Sequence, residues 1–592
     1  MNSSETSSAR ADGRLLAILL VVAAAAFVIG AGDAPIERAE IYFLDAARAM
    51  VERGDWLVPY YRGEAFYDKP PLTYWTLAAS FSVFGPSLMA GRLVAALLAL
   101  TTLLLTVHFA RRLVGDGRRE DAAAFFATTI LATSYAFVSF ARLTMSDMLL
   151  TLLTLAAGGL YLRSEGESKS RLLVWSGALL GLGFLTKGPI AWIYFGALLA
   201  AVVIVERRLP RIFNGSGALG TVAAIAIASS WFLLVYLREG IEPLKWFFVR
   251  ENLQRFAAST YDVSEPWWYY FAIYAVEGLP WSVLALPAAW FAFRKDAPRI
   301  LRVLVVWSLL MLVPLSLSRG KIDYYLLPIL PPLSLLIGAY LASGAPRWLL
   351  RLLSLLTAGL IAGALAFPML PAPFAPPDDM IRALRVFLAT ACVASLIAAI
   401  HARARTVVTV GAATVLGTAL FIFGAIVPAY RDAQPTAQLL DHIARERVYA
   451  PDLQVVVCDD SLRIQRDLLF TLRLPVVEEC RLWTVVSSSR KSLILVPLLQ
   501  ERSLRTADRV RHIASLPHLP ADVTRIGTLL KGAVITKIGL IANFETTDPV
   551  ARWKRNREFK RWLDTPEGQK AEAERLEREA KEAEERRRAG GK

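Results

Sequence analysis

The chain has 592 residues, of which 55% are apolar and only 20% are charged, and its mean hydropathy is +0.44. These values exclude an ordinary soluble protein and predict a polytopic membrane protein. The net charge of +15 does not indicate a nucleic-acid partner, because basic residues of membrane proteins concentrate in cytoplasmic loops. Three cysteines, and five histidines without paired metal-ligand spacing, argue against a disulfide scaffold and a Cys-rich metal site.

Apolar segments long enough to cross a bilayer recur through the first 430 residues. The first of them is longer than the apolar core of a usual signal peptide, which favours a retained helix over a cleaved leader. Together they predict about thirteen transmembrane helices, near residues 15–32, 87–110, 121–141, 144–162, 172–187, 189–205, 218–237, 267–293, 300–317, 323–342, 347–367, 384–401 and 406–428.

Basic residues set the predicted orientation of these helices. They follow the even-numbered segments, as Arg111 and Arg112 follow the second and Arg294 and Lys295 the eighth. The positive-inside rule places these exits and the amino terminus in the cytoplasm. The opposite, extracytoplasmic face then receives the segments 33–86, 142–147, 186–189, 238–266 and 318–325, and the chain from about residue 430.

The first outer loop, 33–86, carries the densest group of aromatic residues, prolines and charges. Apolar spacing predicts an interfacial helix over Glu40–Arg53 that ends at Gly54. The stretch G-E-A-F-Y-D-K-P-P-L-T-Y-W follows at 63–75 and contains Lys69. Two interpretations remain open from this stretch alone. It is either an aromatic interfacial loop with a snorkelling lysine or a cationic cradle for an anionic ligand at the membrane surface.

Several cations on the predicted outer face are candidates for binding a phosphate or pyrophosphate. They are Lys69, Lys187, Arg255 and Lys321. Non-specific contact with anionic lipid head groups is the alternative. The sequence has no Walker loop, G-x-G-x-x-G, G-x-S-x-G or D-x-D pattern. A phosphate already attached to a membrane lipid therefore fits better than a soluble nucleotide.

Carboxylates near the helix ends are candidates for acid–base chemistry, because ionisable groups there are costly to bury. Asp147 begins an apolar helix, and Glu37 and Glu40 follow the first helix. A capping residue or a solvated interfacial charge is the alternative. A pair drawn from these two places would suit activation of an acceptor hydroxyl. Asp68 and Glu251 are the candidate ligands if a divalent cation binds.

The character of the chain changes after residue 430. Residues 431–550 predict a small extracytoplasmic α/β domain, in which Cys458 and Cys480 could form a disulfide. Residues 551–592 predict a highly charged tail, helical or disordered. The predicted elements of the domain are strands over Leu453–Asp459, Leu474–Glu478 and Ser492–Leu498 and a helix over Ser461–Leu472.

An ordered set of motifs resembles the dolichyl-phosphate-mannose-protein mannosyltransferase superfamily. The resemblance covers roughly residues 14–430 and is closest to the bacterial branch that contains the lipid A 4-amino-4-deoxy-L-arabinose transferases. The motifs are E-x-x-x-L-D-A-A-R-A-M-V-E-R-G-D-W-L-V-P, G-E-A-F-Y-D-K-P-P-L-T-Y-W, F-G-P-S-L-M-A-G-R-L, A-R-L-T-M-S-D-M, F-L-T-K-G-P, E-N-L-Q-R-F, P-W-W-Y-Y and G-K-I-D-Y-Y-L-L-P.

This resemblance implies a GT-C glycosyltransferase fold for residues 1–430. It implies a bacterial inner-membrane enzyme that moves a sugar from an undecaprenyl-phosphate-like donor to lipid A, lipopolysaccharide or another envelope glycan, with inversion and on the periplasmic side. The positions matching Glu40 and Asp147 would serve the acceptor. The lipid phosphate would be engaged by Lys69 and Arg255, with Lys321 and with Tyr324 or Tyr325 nearby.

One position departs from the family pattern. Arabinosyltransferases of this branch carry an Asp-Glu pair where this chain has Ala39-Glu40. Glu40 would then take the base role, with Glu37 as a weaker substitute, and aminoarabinose and lipid A become less certain substrates. The alternatives are a protein O-mannosyltransferase, a polyprenyl-lipid flippase or transporter, and an envelope scaffold. A transporter would place charges near the bilayer midplane on repeat-related helices, whereas these charges cluster on one face.

Overall fold

The computed structural model describes residues 3–37, 39–114, 119–167, 171–254, 265–318, 320–366 and 376–433, together with residue 443 and five strands within 454–542. The chain divides into two compact units. One unit comprises Met1–Phe367 with Asp378–Val427, and the other comprises Pro368–Pro377 with Pro428–Lys592.

The first unit is built of helices. Short π-helices lie at Ala110–Val114, Trp246–Gln254 and Ile422–Ile426, and 3₁₀-helices lie at Arg211–Phe213, Trp281–Leu284 and Asp323–Ile329. The α-helices are α1 (Ser3–Val28), α2 (Glu40–Arg53), α3 (Leu72–Phe84), α4 (Leu88–Phe109), α5 (Glu120–Ala132), α6 (Tyr135–Phe140), α7 (Ser146–Glu167), α8 (Arg171–Lys187), α9 (Pro189–Glu206), α10 (Gly215–Glu239), α11 (Glu242–Lys245), α12 (Tyr269–Glu277), α13 (Ala285–Ala292), α14 (Arg299–Leu317), α15 (Leu330–Ala342), α16 (Arg347–Leu365), α17 (Asp378–His401) and α18 (Ala404–Phe421). A further helix, α19 (Val427–Ala433), belongs to the second unit except for its first residue.

Nine helices in the described part of the chain are long and apolar enough to cross a membrane, and a bent pair, α12 with Trp281–Ala292, would make ten. The chain is therefore a multi-pass membrane protein. The predicted segments 121–141, 144–162 and 172–187 do form helices, but α5, α7 and α8 are not among the nine. Helices α5 and α8, with 13 and 17 residues, are too short to be counted as spans, and α7 carries charged residues near both of its ends, which lower its hydropathy.

Small residues allow the helices of this unit to approach one another closely. A Cβ atom added to Gly177 of α8 would lie 2.0 Å from the carbonyl oxygen of Gly220 on α10. Between α15 and α5, a Cβ on Gly338 would lie 2.7 Å from the Cβ of Ala127. Without a hydrophobic driving force between helices in lipid, such close packing supplies much of their association.

The first outer loop contains the predicted helix and a hairpin that the sequence did not predict. Helix α2 spans Glu40–Arg53 and ends at Gly54, whose φ of 68° is left-handed, as predicted. Strands β1 (Tyr60–Tyr61) and β2 (Glu64–Ala65) pair antiparallel. The two residues between them, Arg62 and Gly63, have φ values of 54° and 88°, which a type I′ turn requires. Tyr74 and Trp75 lie on α3, so the stretch 63–75 is only in part a loop.

Asp55 joins the first outer loop to helix α10. Both of its carboxylate oxygens accept hydrogen bonds from Arg238 at the end of α10, at 3.0 and 2.8 Å. The backbone N–H groups of Leu57 and Val58 also donate to Asp55. Burial acts to raise the pKa of Asp55, but Arg238 and these N–H groups outweigh burial and hold it below its usual range.

The second unit contains a mixed five-stranded sheet, in which β3 is parallel to β4 and β5, and β7 is antiparallel to β5 and β6. The three predicted strands are confirmed as β3, β4 and β5. Strand β6 was missed because it carries polar residues and Pro517, which is tolerated because β6 lies at the sheet edge. The predicted helix 461–472, Cys458, Cys480 and the tail 551–592 lie outside the described residues. The strands are β3 (Gln454–Val457), β4 (Val476–Val477), β5 (Ser492–Pro497), β6 (Arg511–His518) and β7 (Thr536–Ala542).

The glycine contact between α8 and α10 predicts a local sensitivity to added volume. We expect Gly177→Ala to lower the free energy of unfolding by about 1–3 kcal/mol, because the new methyl group forces two backbones apart. Gly196→Ala on α9 is the matched control, since nothing lies within 4 Å of its added Cβ. Thermal unfolding of the purified protein measures both. Equal melting temperatures for the two variants would contradict the packing described here.

Candidate functional site

A buried ion pair joins the first outer loop to α4. The side chains of Arg92 and Glu40 are 1% and 0% exposed and meet in a bidentate contact, with Nε–Oε1 at 2.9 Å and Nη2–Oε2 at 2.7 Å. The remaining guanidinium N–H groups donate to the carbonyl oxygens of Ala31, Ala34 and Pro35 at 2.8–2.9 Å. All five N–H donors of Arg92 are therefore satisfied, three by the segment after α1 and two by Glu40 at the start of α2.

The carboxylate oxygens of Glu40 are likewise fully occupied by hydrogen bonds. The N–H of Thr144 donates to Oε1 at 3.0 Å and the N–H of Glu37 donates to Oε2 at 3.1 Å, so each oxygen accepts two hydrogen bonds. Burial acts to raise the pKa of Glu40, but Arg92 and the two backbone donors outweigh burial and hold it below its usual range. This geometry favours a positioning role for Glu40 over the predicted role of general base, because no lone pair faces a substrate.

A second ion pair joins α7 to the lysine turn at the end of α8. Lys187 Nζ lies 2.5 Å from Asp147 Oδ1, with side-chain exposures of 11% and 2%. The ammonium also lies 4.3 Å from the ring centre of Tyr325 and 5.3 Å from that of Tyr324. Two aromatic faces and one carboxylate thus hold Lys187 in place. Asp147, Lys187, Tyr324 and Tyr325, predicted from separate motifs, form one cluster.

The lysine turn is packed against the π-helix Trp246–Gln254. Gly188 has a φ of +72°, and a Cβ added to it would lie 2.6 Å from the ring of Phe247. A side chain is therefore excluded both by backbone conformation and by space. The sequence T-K-G-P needs its glycine for this contact, and Pro189 then starts α9 at a position where proline is favoured.

Lys69 also contacts this π-helix. Its Nζ lies 3.6 Å from Glu251 Oε2 and donates to the carbonyl oxygen of Asp68 at 2.9 Å. Trp246 Nε1 donates to Asp68 Oδ1 at 2.9 Å. The stretch 63–75 and the π-helix are therefore joined at two points. Lys69 keeps 21% of its side chain exposed, so its ammonium lies at the surface and not in the core.

A buried hydroxyl lies among these charges. Tyr74 is fully buried, and its hydroxyl has no hydrogen-bond partner among the described residues. Burial and then the nearby charges of Asp68 and Glu251 raise its pKa well above the usual value. Tyr74 therefore stays neutral and offers a hydroxyl donor next to the Lys69–Glu251 pair.

The structure brings most of the predicted site residues together, with three exceptions. Lys321 is 6% exposed and donates to the carbonyl oxygens of Glu265 and Ser318 at 3.0 and 2.6 Å, which gives it a structural role in this state. Glu37 takes part through its backbone N–H. Arg255 lies outside the described residues. Each predicted outer segment of the first unit contacts at least one other, so their convergence is confirmed.

Sequence reasoning missed Arg92 and Trp246 as site residues. Arg92 lies in the quoted motif F-G-P-S-L-M-A-G-R-L, within the first turns of an apolar helix. An ionisable residue inside a spanning segment is a sufficient signal, and it could have been noticed. Trp246 gave no such signal, because an aromatic residue at a membrane interface is ordinary.

The predicted metal ligands have other partners in this state. Asp68 accepts from Trp246 and Glu251 faces Lys69. Among the described residues, no group of three or more His, Cys, Asp or Glu side chains could hold a metal ion. The metal requirement stays a prediction.

Comparison with known proteins places these motifs in context. Residues 68–233 match the family model of the dolichyl-phosphate-mannose-protein mannosyltransferases. The undecaprenyl phosphate-alpha-4-amino-4-deoxy-L-arabinose arabinosyl transferase of Pseudomonas aeruginosa is 35% identical over 308 residues, 50% of this chain and 54% of that relative. The protein of the same name from Aeromonas salmonicida is 35% identical over 306 residues with the same coverage. The chain thus spans about half the length of the curated relatives it matches, and its similarity to this branch of the superfamily is confirmed.

A solved structure shows the fold. ArnT from Cupriavidus metallidurans, in a crystal structure bound to undecaprenyl phosphate, has a TM-score of 0.67 and 22% sequence identity to this chain. The match covers 89% of this chain and 97% of that chain. This likeness confirms the predicted GT-C fold class.

The Arg92–Glu40 pair predicts a large effect of removing one charge. We expect Glu40→Gln to lower the free energy of unfolding by about 3–5 kcal/mol, because Arg92 stays buried without its counter-ion. The control is Glu242→Gln, which breaks the exposed Lys245–Glu242 pair and should change stability very little. Thermal unfolding from pH 7 down to about pH 2 checks the sign, because the folded pKa of Glu40 lies below its usual range. Since the folded pKa of Glu40 is lowered, the advantage of the wild-type protein over Glu40→Gln should shrink as the pH falls through that pKa.

Proposed function

We propose that this chain is an integral membrane glycosyltransferase that transfers a sugar from a polyprenyl-phosphate donor to an acceptor of the cell envelope. The observation that carries the proposal is that one π-helix, Trp246–Gln254, contacts both Lys69 and the turn that follows Lys187. Lys69 lies at the surface against Glu251, and Lys187 lies between Asp147 and two tyrosine rings. Similarity to the aminoarabinose transferases, and to ArnT bound to undecaprenyl phosphate, supports the donor class.

In this proposal Lys69 binds the phosphate of the donor. The Lys69–Glu251 distance of 3.6 Å describes a loose ion pair that a phosphate oxygen can replace, and Arg255 follows the same π-helix in sequence. The cation stabilises the negative charge that develops as the glycosidic bond breaks. A phosphate anion departs without a general acid, so no carboxylic acid is needed on the donor side.

Asp147 serves the acceptor in this proposal. Its carboxylate accepts the proton of an acceptor hydroxyl, which attacks the anomeric carbon as the phosphate leaves. Attack in line with the departing phosphate inverts the configuration at that carbon. Lys187 holds the carboxylate in position, and Glu40 acts indirectly, by fixing Thr144 three residues before Asp147 through its N–H.

The membrane topology belongs to the proposal as well. The bent pair and helices α5, α7 and α8 would join the nine spans of the described chain to give the predicted number of about thirteen. We call Lys69, Lys187 and the residues that contact them the lysine surface. The positive-inside rule then assigns the lysine surface to the periplasmic side of the bacterial inner membrane. By the same rule we assign the predicted α/β domain, residues 431–550, and the tail 551–592 to the extracytoplasmic side.

The sugar is the part of the proposal on which this chain differs from its named relatives. Their names specify 4-amino-4-deoxy-L-arabinose, a sugar with a basic amine. This chain has Ala39 beside Glu40, and Glu40 and Asp147 both contact cations. We therefore propose the donor class, a polyprenyl-phosphate-linked sugar, and an envelope lipid or glycan such as lipid A as the acceptor class.

The first test of the proposal removes the two central groups. We expect Lys69→Ala to lower transfer of a labelled sugar from a polyprenyl-phosphate donor in membranes by roughly 100-fold, from lost stabilisation of the leaving phosphate. Asp147→Asn should lower it by roughly 100–10,000-fold, from the loss of the base. The control is Lys245→Ala, an exposed lysine with 58% side-chain exposure. Near-normal turnover in both Lys69→Ala and Asp147→Asn would contradict the site.

A second test concerns the exchange of partners at Lys69. If the donor phosphate replaces Glu251, then Glu251→Gln removes a competing charge. We expect tighter binding of undecaprenyl phosphate, by about threefold to tenfold, since an incompletely buried ion pair contributes on the order of 1 kcal/mol. Titration of the purified protein with the lipid measures this. Weaker binding would show instead that Glu251 holds Lys69 ready for the phosphate.

A further inference from the structure

A cavity of about 610 Å³ lies at the carboxyl-terminal ends of helices whose amino-terminal ends carry the candidate site. Helix α4 begins near Arg92 and leads through its π-helical extension to Val114 at the cavity. The 3₁₀-helix with Tyr324 leads into α15, which ends at the cavity with Ala342. Three even-numbered exits of the predicted topology meet here, so this face is the predicted cytoplasmic one.

Two helix amino termini border the cavity. Helices α14 and α16 both begin at the arginine of the same tripeptide, Ala-Pro-Arg, and their N-cap residues Pro298 and Pro346 both line the cavity. Neither cap has a side-chain hydrogen bond, and neither helix has an acidic residue in its first turn. The positive ends of two 19-residue helices are thus left without a negative charge of their own. Such ends attract anions.

Arginine side chains add formal charge to this region. Arg119, before α5, and Arg294, after α13, line the cavity together with Asp296. Arg294 Nε lies 3.4 Å from Asp296 Oδ1, and the two side chains are 53% and 70% exposed. An ion pair this exposed contributes little, so the oxyanion of a phosphate group can take its place.

A nearly buried tyrosine lines the same cavity. Tyr340 is 8% exposed, and its ring packs on Phe291 with 5.5 Å between ring centres. No hydrogen-bond partner of its hydroxyl is found among the described residues. The hydroxyl oxygen is not one of the fully buried polar atoms that lack a partner, so it is accessible and can donate a hydrogen bond to a ligand. An anion oxygen in the cavity would accept this hydrogen bond.

We propose that this cavity binds a phosphate group, as a monoester or diester, between Arg294, Tyr340 and the amino termini of α14 and α16. The site is separate from the lysine surface and does not depend on the proposed transferase activity. Trp290, 73% exposed, lines the same cavity, and exposed tryptophan is typical of the membrane interface. The phosphate can belong to a lipid head group or to a soluble anion, and the experiment separates these sources.

The test uses the full chain with two variants and one matched control. Arg294→Gln removes a charge, and Tyr340→Phe removes only the hydroxyl and keeps the ring. Lys295→Gln removes the same charge from the next residue, which is exposed and does not line the cavity. Binding of inorganic phosphate is measured by thermal shift in detergent. Retention of phosphatidylglycerol against phosphatidylcholine is measured by native mass spectrometry of protein released from nanodiscs.

We expect Arg294→Gln and Tyr340→Phe each to weaken anion binding by roughly tenfold to a hundredfold, as loss of one hydrogen bond to a charged group predicts, while Lys295→Gln binds as the wild type does. A phosphate shift in detergent identifies a soluble anion as ligand, and selective phosphatidylglycerol retention without that shift identifies a lipid head group. Wild-type protein that binds neither overturns the proposal. So does equal binding by Lys295→Gln and the two cavity variants.

Discussion

The Arg92–Glu40 pair is the interaction on which the rest of the outer surface depends. One guanidinium, inside a transmembrane helix, holds three carbonyl oxygens of the segment after α1 and the carboxylate that begins α2. The same carboxylate holds Thr144, and so fixes the start of the helix that carries Asp147. Burying such a pair is costly, and its geometry must satisfy every donor and acceptor to offset that cost. Here it does, and the position of the first loop relative to α4 and α7 is thereby specified.

The two lysines of the surface are held in different ways, and the difference suits different tasks. Lys187 is nearly buried, with a carboxylate at 2.5 Å and two tyrosine rings around it, an arrangement that resists exchange of partners. Lys69 is more exposed and lies at a longer distance from Glu251. A group that must release one partner and accept another is better served by the second arrangement, because less desolvation has to be reversed.

The sequence predicted the parts of this site that local chemistry determines. The apolar spacing of Glu40–Arg53 predicted its helix, and Gly54 predicted where that helix ends. The charged motifs could be assigned to one face of the membrane because basic residues mark the cytoplasmic face. The pairing of side chains could not be predicted. Glu40 looks like a free base in sequence and becomes a structural acceptor only because Arg92, 52 positions away, reaches it. The β1–β2 hairpin was missed because its turn places Arg62, and not Asn or Asp, at a left-handed position.

The packing of Gly188 connects the surroundings of Lys187 with those of Lys69. Gly188 has no side chain and packs directly against Phe247. The turn that contains Lys187 therefore contacts the same π-helix that contacts Lys69 through Glu251. A donor that draws this π-helix toward its phosphate would also shift the support beneath Lys187, and with it the surroundings of Asp147. Occupancy of the donor half would then be communicated to the acceptor half through the packing of the end of α8 and its turn against this π-helix. In thermodynamic terms, such coupling is reciprocal, so that binding at either half would change the affinity of the other by the same factor.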